Sequence, residues 1–286
     1  MWFGSHLGGL VVKEDKASGI QSFEVGMDIL KELARHDGPV TLTGLSREVG
    51  LPPSTCRRYL VSLIRSGMVR QEGPSGKYDV GPDLLRLGLL GLSRWDMVRA
   101  TIDQALQLNQ EIDQTTLVAV LGDRGPTVVA WFDSRRKIIV NSHIGSVYSL
   151  RTTATGWIFL SYLPDDVVHE LLQAERSDST MDGATTHSLD EVVEQVRSKT
   201  YALIIDGVVP GLSAAAAPVF DAQGKLVAAM TIMGRSIDYR AGKHEAPVQA
   251  LCAAATQVSR ENGFASPEDG RSYATWLANV WRGPKP

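Results

Sequence analysis

Residues 41–80 read T-L-T-G-L-S-R-E-V-G-L-P-P-S-T-C-R-R-Y-L-V-S-L-I-R-S-G-M-V-R-Q-E-G-P-S-G-K-Y-D-V. Thr43 is placed to cap a short helix over 43–49, because a threonine hydroxyl accepts an orphan backbone N–H of the first turn. Gly50 is expected to end that helix, since the residue just past a helix end often needs positive φ. Leu51 leads into Pro52 and Pro53, which cannot continue a helix but can open one. Over 54–65 apolar residues recur at Cys56, Tyr59, Leu60, Leu63 and Ile64, a stripe of helical period. Ser54, Arg57, Arg58, Val61 and Arg65 fall on the other face. Two short helices joined by a tight glycine-containing turn make a helix-turn-helix.

Moving outward, 68–72 and 77–80 are strand-like runs around Gly73-Pro74-Ser75-Gly76, a hairpin signal and the wing of a winged helix-turn-helix. From Leu51 to Arg70 the chain carries four arginines and no acidic residue, which suits phosphate contact. Upstream, Ser22 is expected to cap a supporting helix with Phe23, Met27, Leu30 and Leu33 on its apolar side, broken at 36–39. Residues 20–90 resemble the N-terminal domain of the IclR family of bacterial transcription regulators. The matching pieces are S-F-E-V-G-M-D-I-L-K-E-L-A, L-S-R-E-V-G-L-P-P-S-T and G-K-Y-D-V-G-P-D-L-L-R-L-G. Ser54, Thr55, Arg57 and Arg58 occupy the N-terminal half of the second helix, where side chains reach base edges. Arg65, Arg70 and Lys77 are expected at phosphates or the wing-side groove.

A chain of 286 residues favours two domains. Its 43% apolar and 21% charged residues are ordinary for a soluble protein, and no apolar run approaches a membrane span. The N-terminus shows no signal-peptide pattern, and Cys56 and Cys252 give neither a disulfide framework nor a metal-spaced cluster. A reduced, cytoplasmic protein without cofactor or metal is expected. The net charge of −3 is unevenly spread. Residues 20–97 hold ten basic and nine acidic side chains, so the positive field is confined to one helix and the wing. Such a module gains affinity by pairing two copies.

The expected organisation is a flexible arm (1–19), a winged helix-turn-helix (20–81), a linker and dimerisation helix (82–97), an effector-binding domain (98–262) and a C-terminal extension (263–286). The linker is crowded with Leu84, Leu85, Leu87, Leu89, Leu90, Leu92 and Trp95, too many for one narrow stripe. It is read as a contact with a second chain rather than with water. Residues 98–112 continue as an amphipathic helix. Strands are expected at 115–121, 127–132, 138–142, 201–205, 213–220 and 226–233, and helices at 152–163, 164–175, 189–199 and 246–261. Antiparallel hairpins with segregated helices indicate an α+β domain. This half also resembles the family, whose effector domain is a GAF-like sheet with helices, through V-P-G-L-S-A-A-A-A-P-V-F-D-A-Q-G-K-L-V-A-A-M-T-I-M-G. The extension beyond Phe264, with Trp276 and Trp281, lies outside the resemblance.

The resemblance implies an effector cavity walled by G-S-V-Y-S-L-R-T-T-A-T-G-W and two strands. Gly145, Leu150, Thr153, Ala154 and Gly156 match the pattern, whereas Ser149, Arg151 and Trp157 replace its usual Pro, His and Lys. Ile204 stands at a commonly acidic position, Ala214 at a common Cys or Ser, and Thr231 and Met233 at two common hydroxyls. With Leu212 these residues describe a site suited to an apolar or aromatic ligand, its polar end fixed by Arg151, Thr153 or Thr231. The bland alternative is that the changes only repack a core.

Catalysis finds little support. The six histidines are scattered, and there is no G-x-S-x-G, P-loop or G-x-G-x-x-G. Ser134, His143 and Asp133 could be arranged as a hydrolase set, and surface polar residues in a strand and turn are the simpler reading. A hydrolase-like enzyme and a protein–protein adaptor are the alternatives; the basic helix argues against the adaptor. The expectation is a homodimer or dimer of dimers, not membrane-bound and not an enzyme, that binds a pseudo-palindromic double-stranded DNA operator under control of a small molecule.

Overall fold

The computed structural model describes residues 19–36, 38–73, 75–93, 95–135, 140–177 and 188–264. The expected arm, apart from Gly19, and the expected extension, apart from Gly263 and Phe264, lie outside these residues. The chain divides into two compact units between Leu92 and Ser93.

The first unit is three helices and a hairpin: α1 (Gln21–Leu33), α2 (Leu42–Glu48), α3 (Pro53–Arg65), β1 (Val69–Gln71), β2 (Tyr78–Val80), followed by α4 (Pro82–Ser93). Its core is Ile29, Leu30 and Leu33 of α1, Leu45 of α2, Cys56 and Leu60 of α3, and Val69 and Tyr78 of the hairpin. Both Cys56 and Leu60 are fully buried, one helical turn apart, so α3 presents a single face inward. Truncating Leu60 to Ala would cost roughly 2–5 kcal/mol here. Gly50 adopts φ +66 at the turn, as its position after α2 requires. Two local expectations are corrected. The cap of α2 is Thr41, whose hydroxyl accepts the Gly44 N–H at 3.2 Å; Thr43 lies within the helix. Ser22 lies inside α1, whose N-cap is Ile20 without a side-chain bond, and Phe23 is exposed rather than packed.

The hairpin pairs Val69 with Val80, Arg70 with Asp79 and Gln71 with Tyr78, and an isolated bridge from Val40 to Tyr78 extends it toward α2. The exposed leucines of α4, Leu85, Leu87, Leu89 and Leu90, stay in solvent within this single chain.

The second unit is an α+β domain: α5 (Asp96–Ile112), β3 (Thr115–Gly122), β4 (Gly125–Phe132), α6 (Ala154–Tyr162), α7 (Asp165–Ser177), α8 (Leu189–Lys199), β5 (Ala202–Ile204), β6 (Leu212–Phe220), β7 (Leu226–Arg235), α9 (Ser236–Arg240) and α10 (Glu245–Glu261). The five strands form an antiparallel sheet in the order β4-β3-β7-β6-β5. Alternation along each strand divides the sheet into two faces. α5 and α10 cover one, burying Val98, Thr101, Ala105 and Leu108, and Val248, Leu251, Ala255 and Val258. α6 lies across the other, with α8 packed behind it. The alanine run 214–217 keeps β6 thin, so helices on both faces reach the sheet closely.

Of the ten strands and helices expected after residue 113, that over 189–199 coincides with α8 and eight others differ from the structure only at their ends. The expected strand over 138–142 does not form in its described part, 140–142, and its first two residues lie outside the described set. α9 was not anticipated; a five-residue helix is too short for a periodic signal. Among the described residues no helix is long and apolar enough to cross a membrane.

Candidate functional site

Two places concentrate the residues singled out in the sequence, one in each unit. The first is the outer face of α3. At about 100° per residue, Ser54, Arg58, Val61 and Arg65 point away from Cys56 and Leu60, with Arg57 on the flank. Ser54, Arg57, Arg58 and Arg65 are exposed and Thr55 is half-buried. Among the described residues no hydrogen bond or ion pair occupies the guanidinium groups of Arg57, Arg58 or Arg65. Lys77, at the foot of the wing, is likewise exposed and its ammonium unpaired. Arg70 differs. Its guanidinium donates to the Asp79 carboxylate at 2.5 Å directly across the hairpin, and that partner holds its pKa above the ordinary arginine value. Its charge is already answered, which weakens the expectation of a phosphate contact there.

The second place is the α6 face of the sheet. Ile204, Ala214 and Met233 stand side by side on β5, β6 and β7, and Ala216, Thr231 and Leu117 form the next row. Above these rows lie Leu150, Ala154 and Trp157, all buried, with Ile204, Leu212 and Ala214 half-buried at the margin of the same cluster. The structure therefore brings together Leu150, Ala154, Trp157, Ile204, Leu212, Ala214, Thr231 and Met233. Gly145 stands apart and exposed, its N–H donating to the Val128 carbonyl at 2.8 Å.

The polar groups in this cluster are largely committed to the fold. Thr231 shares a hydrogen bond with Thr155 at 2.8 Å, a buried hydroxyl pair between β7 and α6 that the sequence did not reveal. Thr153 caps α6: its hydroxyl accepts the Gly156 N–H at 2.9 Å and donates to the Ser149 carbonyl at 2.8 Å. The Trp157 indole N–H donates to the Arg151 carbonyl at 2.8 Å. A Cβ at Gly156 would run into the Ser149 carbonyl oxygen and the Leu150 Cα, so only glycine lets the 149–153 turn lie against α6. Arg151 is half-buried, and among the described residues its guanidinium has no partner.

The hydrolase-like set is not assembled. Ser134 is buried and bonded to Thr115 at 3.4 Å, Asp133 accepts the Trp131 indole N–H at 2.8 Å, and His143 Nδ1 bonds the Ile144 carbonyl at 2.9 Å. Burial raises the Cys56 thiol and pushes Cys252 up to about 11, so neither is a ready thiolate near neutral pH.

These two places coincide with two family models. The IclR helix-turn-helix domain matches residues 22–73, and the bacterial transcriptional regulator IclR C-terminal domain matches residues 90–260. The HTH-type transcriptional regulator KdgR of Escherichia coli (strain K12) is 29% identical over 227 residues, covering 79% of this chain and 86% of that protein. The crystal structure of Pseudomonas aeruginosa HmgR is 32% identical, with a TM-score of 0.54, covering 86% of this chain and 100% of the other. An IclR homolog from Microbacterium hydrocarbonoxydans, solved in complex with 4-hydroxybenzoate, shares the fold with a TM-score of 0.71 at 16% identity, covering 84% and 98%. With a helix-turn-helix at one end and the matching sheet domain at the other, the chain belongs to the IclR family of bacterial transcriptional regulators.

Proposed function

We propose that α3 reads an operator through Ser54, Thr55, Arg57 and Arg58, with Arg65 and Lys77 on phosphates, and that an apolar or aromatic acid held at the α6 face modulates this binding. The observation that carries the first half is the set of arginines, without partners among the described residues, on the face of α3 opposite Cys56 and Leu60. Guanidinium groups with no protein partner are available for bidentate contacts to guanine O6 and N7 or to phosphate. The second half is supported by the α6 cluster, whose buried lining is apolar and whose hydroxyls, like the Glu175 carboxylate beside Ser149, are engaged within the fold. A ring entering it would gain about 2–3 kcal/mol from desolvation, with Arg151 pairing its carboxylate. The relative bound to 4-hydroxybenzoate is consistent with that ligand class.

The regulator acts as a homodimer or dimer of dimers in the cytoplasm. α4 is the proposed contact, because Leu85, Leu87, Leu89 and Leu90 are exposed on one short helix. Two copies side by side give a pseudo-palindromic operator with half-sites about one helical turn apart, or a multiple of it. Replacing Leu87 and Leu90 by Asp is expected to yield monomers with weak operator binding; a variant still dimeric in sedimentation would remove α4 from the main contact. Calorimetric titration with benzoate and with glyoxylate tests the ligand class. Binding of the aromatic acid alone is expected, and tight binding of the small polar acid alone would contradict the apolar reading.

A further inference from the structure

The 149–153 turn, which carries Leu150, Arg151 and Thr153, has its polar groups gathered by one side chain from another helix. The Ser149 hydroxyl donates to one carboxylate oxygen of Glu175, and the Leu150 N–H donates to the other at 3.2 Å. The same Ser149 oxygen accepts the N–H groups of Arg151 and Thr152, each at 3.1 Å. Glu175 is half-buried on α7 and lies 26 positions from Ser149 in sequence. Ser149 and Trp157, two of the three departures from the family pattern, are the ones that tie this turn together. A proline at 149 has no hydroxyl with which to bridge the turn to α7.

We infer that Glu175 is a specificity-determining positioning residue of the effector site: its carboxylate occupies the Ser149–Leu150 donor pair as a built-in acid, fixing the turn and closing those donors to an incoming carboxylate. Two donors converging on the two oxygens of one carboxylate make an acid-binding arrangement, and here the protein supplies the acid itself. A small acid, whose only handle is its carboxylate, finds these donors taken. A larger acid retains ring burial and the Arg151 guanidinium. The inference rests on placing the effector site at this turn, yet its chemistry is testable without any effector or DNA.

The test is a thermal melt of the full chain in sodium acetate against sodium chloride at equal ionic strength. Glu175→Ala is expected to melt below wild type, because the Ser149 and Leu150 donors lose their acceptor. Acetate should restore most of that loss by entering the vacated position, and should leave wild type and Glu175→Ala/Ser149→Ala unmoved. By calorimetry Glu175→Ala should bind acetate at least roughly tenfold tighter than wild type. Should Glu175→Ala fold only in acetate, that recovery supports the assignment. Should it not fold at all, Glu175→Gln decides: its amide fills the space but offers one acceptor for two donors, so a reduced melting temperature without acetate rescue is expected. Wild-type melting of Glu175→Gln, no acetate effect on folded Glu175→Ala, or an equal effect on wild type would overturn the inference. Failure of benzoate binding would count against the ligand class alone, because acetate rescue reads the turn directly.

Discussion

The two units handle polar groups in opposite ways. On α3 the charged side chains are exposed and lack partners among the described residues, while at the α6 face nearly every polar group is bonded to another part of the fold. Arg57, Arg58 and Arg65 point outward from a helix whose only fully buried side chains are Cys56 and Leu60. Thr231, Thr153, Ser149 and Trp157 instead each have a named partner. A DNA-reading surface keeps its donors available for a charged partner that is always in water. A cluster under a helix cannot leave donors idle, because an unsatisfied buried polar group costs about 1–3 kcal/mol. Under the proposed function, ligand recognition there falls to shape, apolar area and the Arg151 guanidinium, which has no partner among the described residues.

Substitutions sharpen this contrast, beginning with the buried side. Trp157→Ala removes an indole that is 5% exposed, and is expected to destabilise the second unit by about 3–5 kcal/mol in denaturant melts. The change should leave the isolated helix-turn-helix chemistry unaltered. Thr155→Val strands the Thr231 hydroxyl and should cost about 1–3 kcal/mol. The double variant Thr155→Val/Thr231→Val should cost less than the sum of the single ones, as a double-mutant cycle would show. Strict additivity would mean the two hydroxyls do not depend on each other.

On the exposed side the effects appear in binding rather than folding. Arg58→Ala should lose about 1–3 kcal/mol of operator affinity and relax preference at one base pair per half-site. Lys77→Ala should weaken all sequences alike and lower the salt slope by about 1. Equal losses across operator variants for both changes would remove Arg58 from base reading. The smallest effect is expected from Asp79→Asn. Releasing Arg70 from its partner should steepen the salt dependence of non-specific binding slightly, with no change in operator preference.

The same contrast explains what the sequence disclosed. α3 and the hairpin were legible because their signals are local: a stripe at helical spacing, a proline pair at one end, a four-residue turn. The strands and helices of the second unit were legible by the same means, together with the family resemblance. Cap identity was less so. Thr41 and Thr43 are both threonines near a helix start, and only the backbone path decides which hydroxyl reaches the Gly44 N–H. Phe23 follows α1's apolar rhythm yet lies outside, since the core is already filled by Ile29, Leu30 and Leu33. Thr155 and Glu175 left no short-range trace. Their partners lie 76 and 26 positions away, so their roles emerge only when the sheet and helices close on one another. Ser149 could be noticed as a departure, but its use as a hub depends on Glu175.

The central claim is that the outer face of α3 binds the operator and the α6 cluster controls that binding through an aromatic acid. Fluorescence anisotropy of an operator duplex taken from the DNA upstream of the protein's own gene, titrated with the chain with and without benzoate, tests it most directly. The operator affinity of wild type should shift by roughly fivefold to 150-fold with benzoate. Ala214→Asp, which sets a carboxylate beside Met233 and Ile204, should keep the unliganded operator affinity and lose the shift. An operator affinity indifferent to benzoate in wild type, or an Ala214→Asp chain that responds as wild type does, would contradict the account.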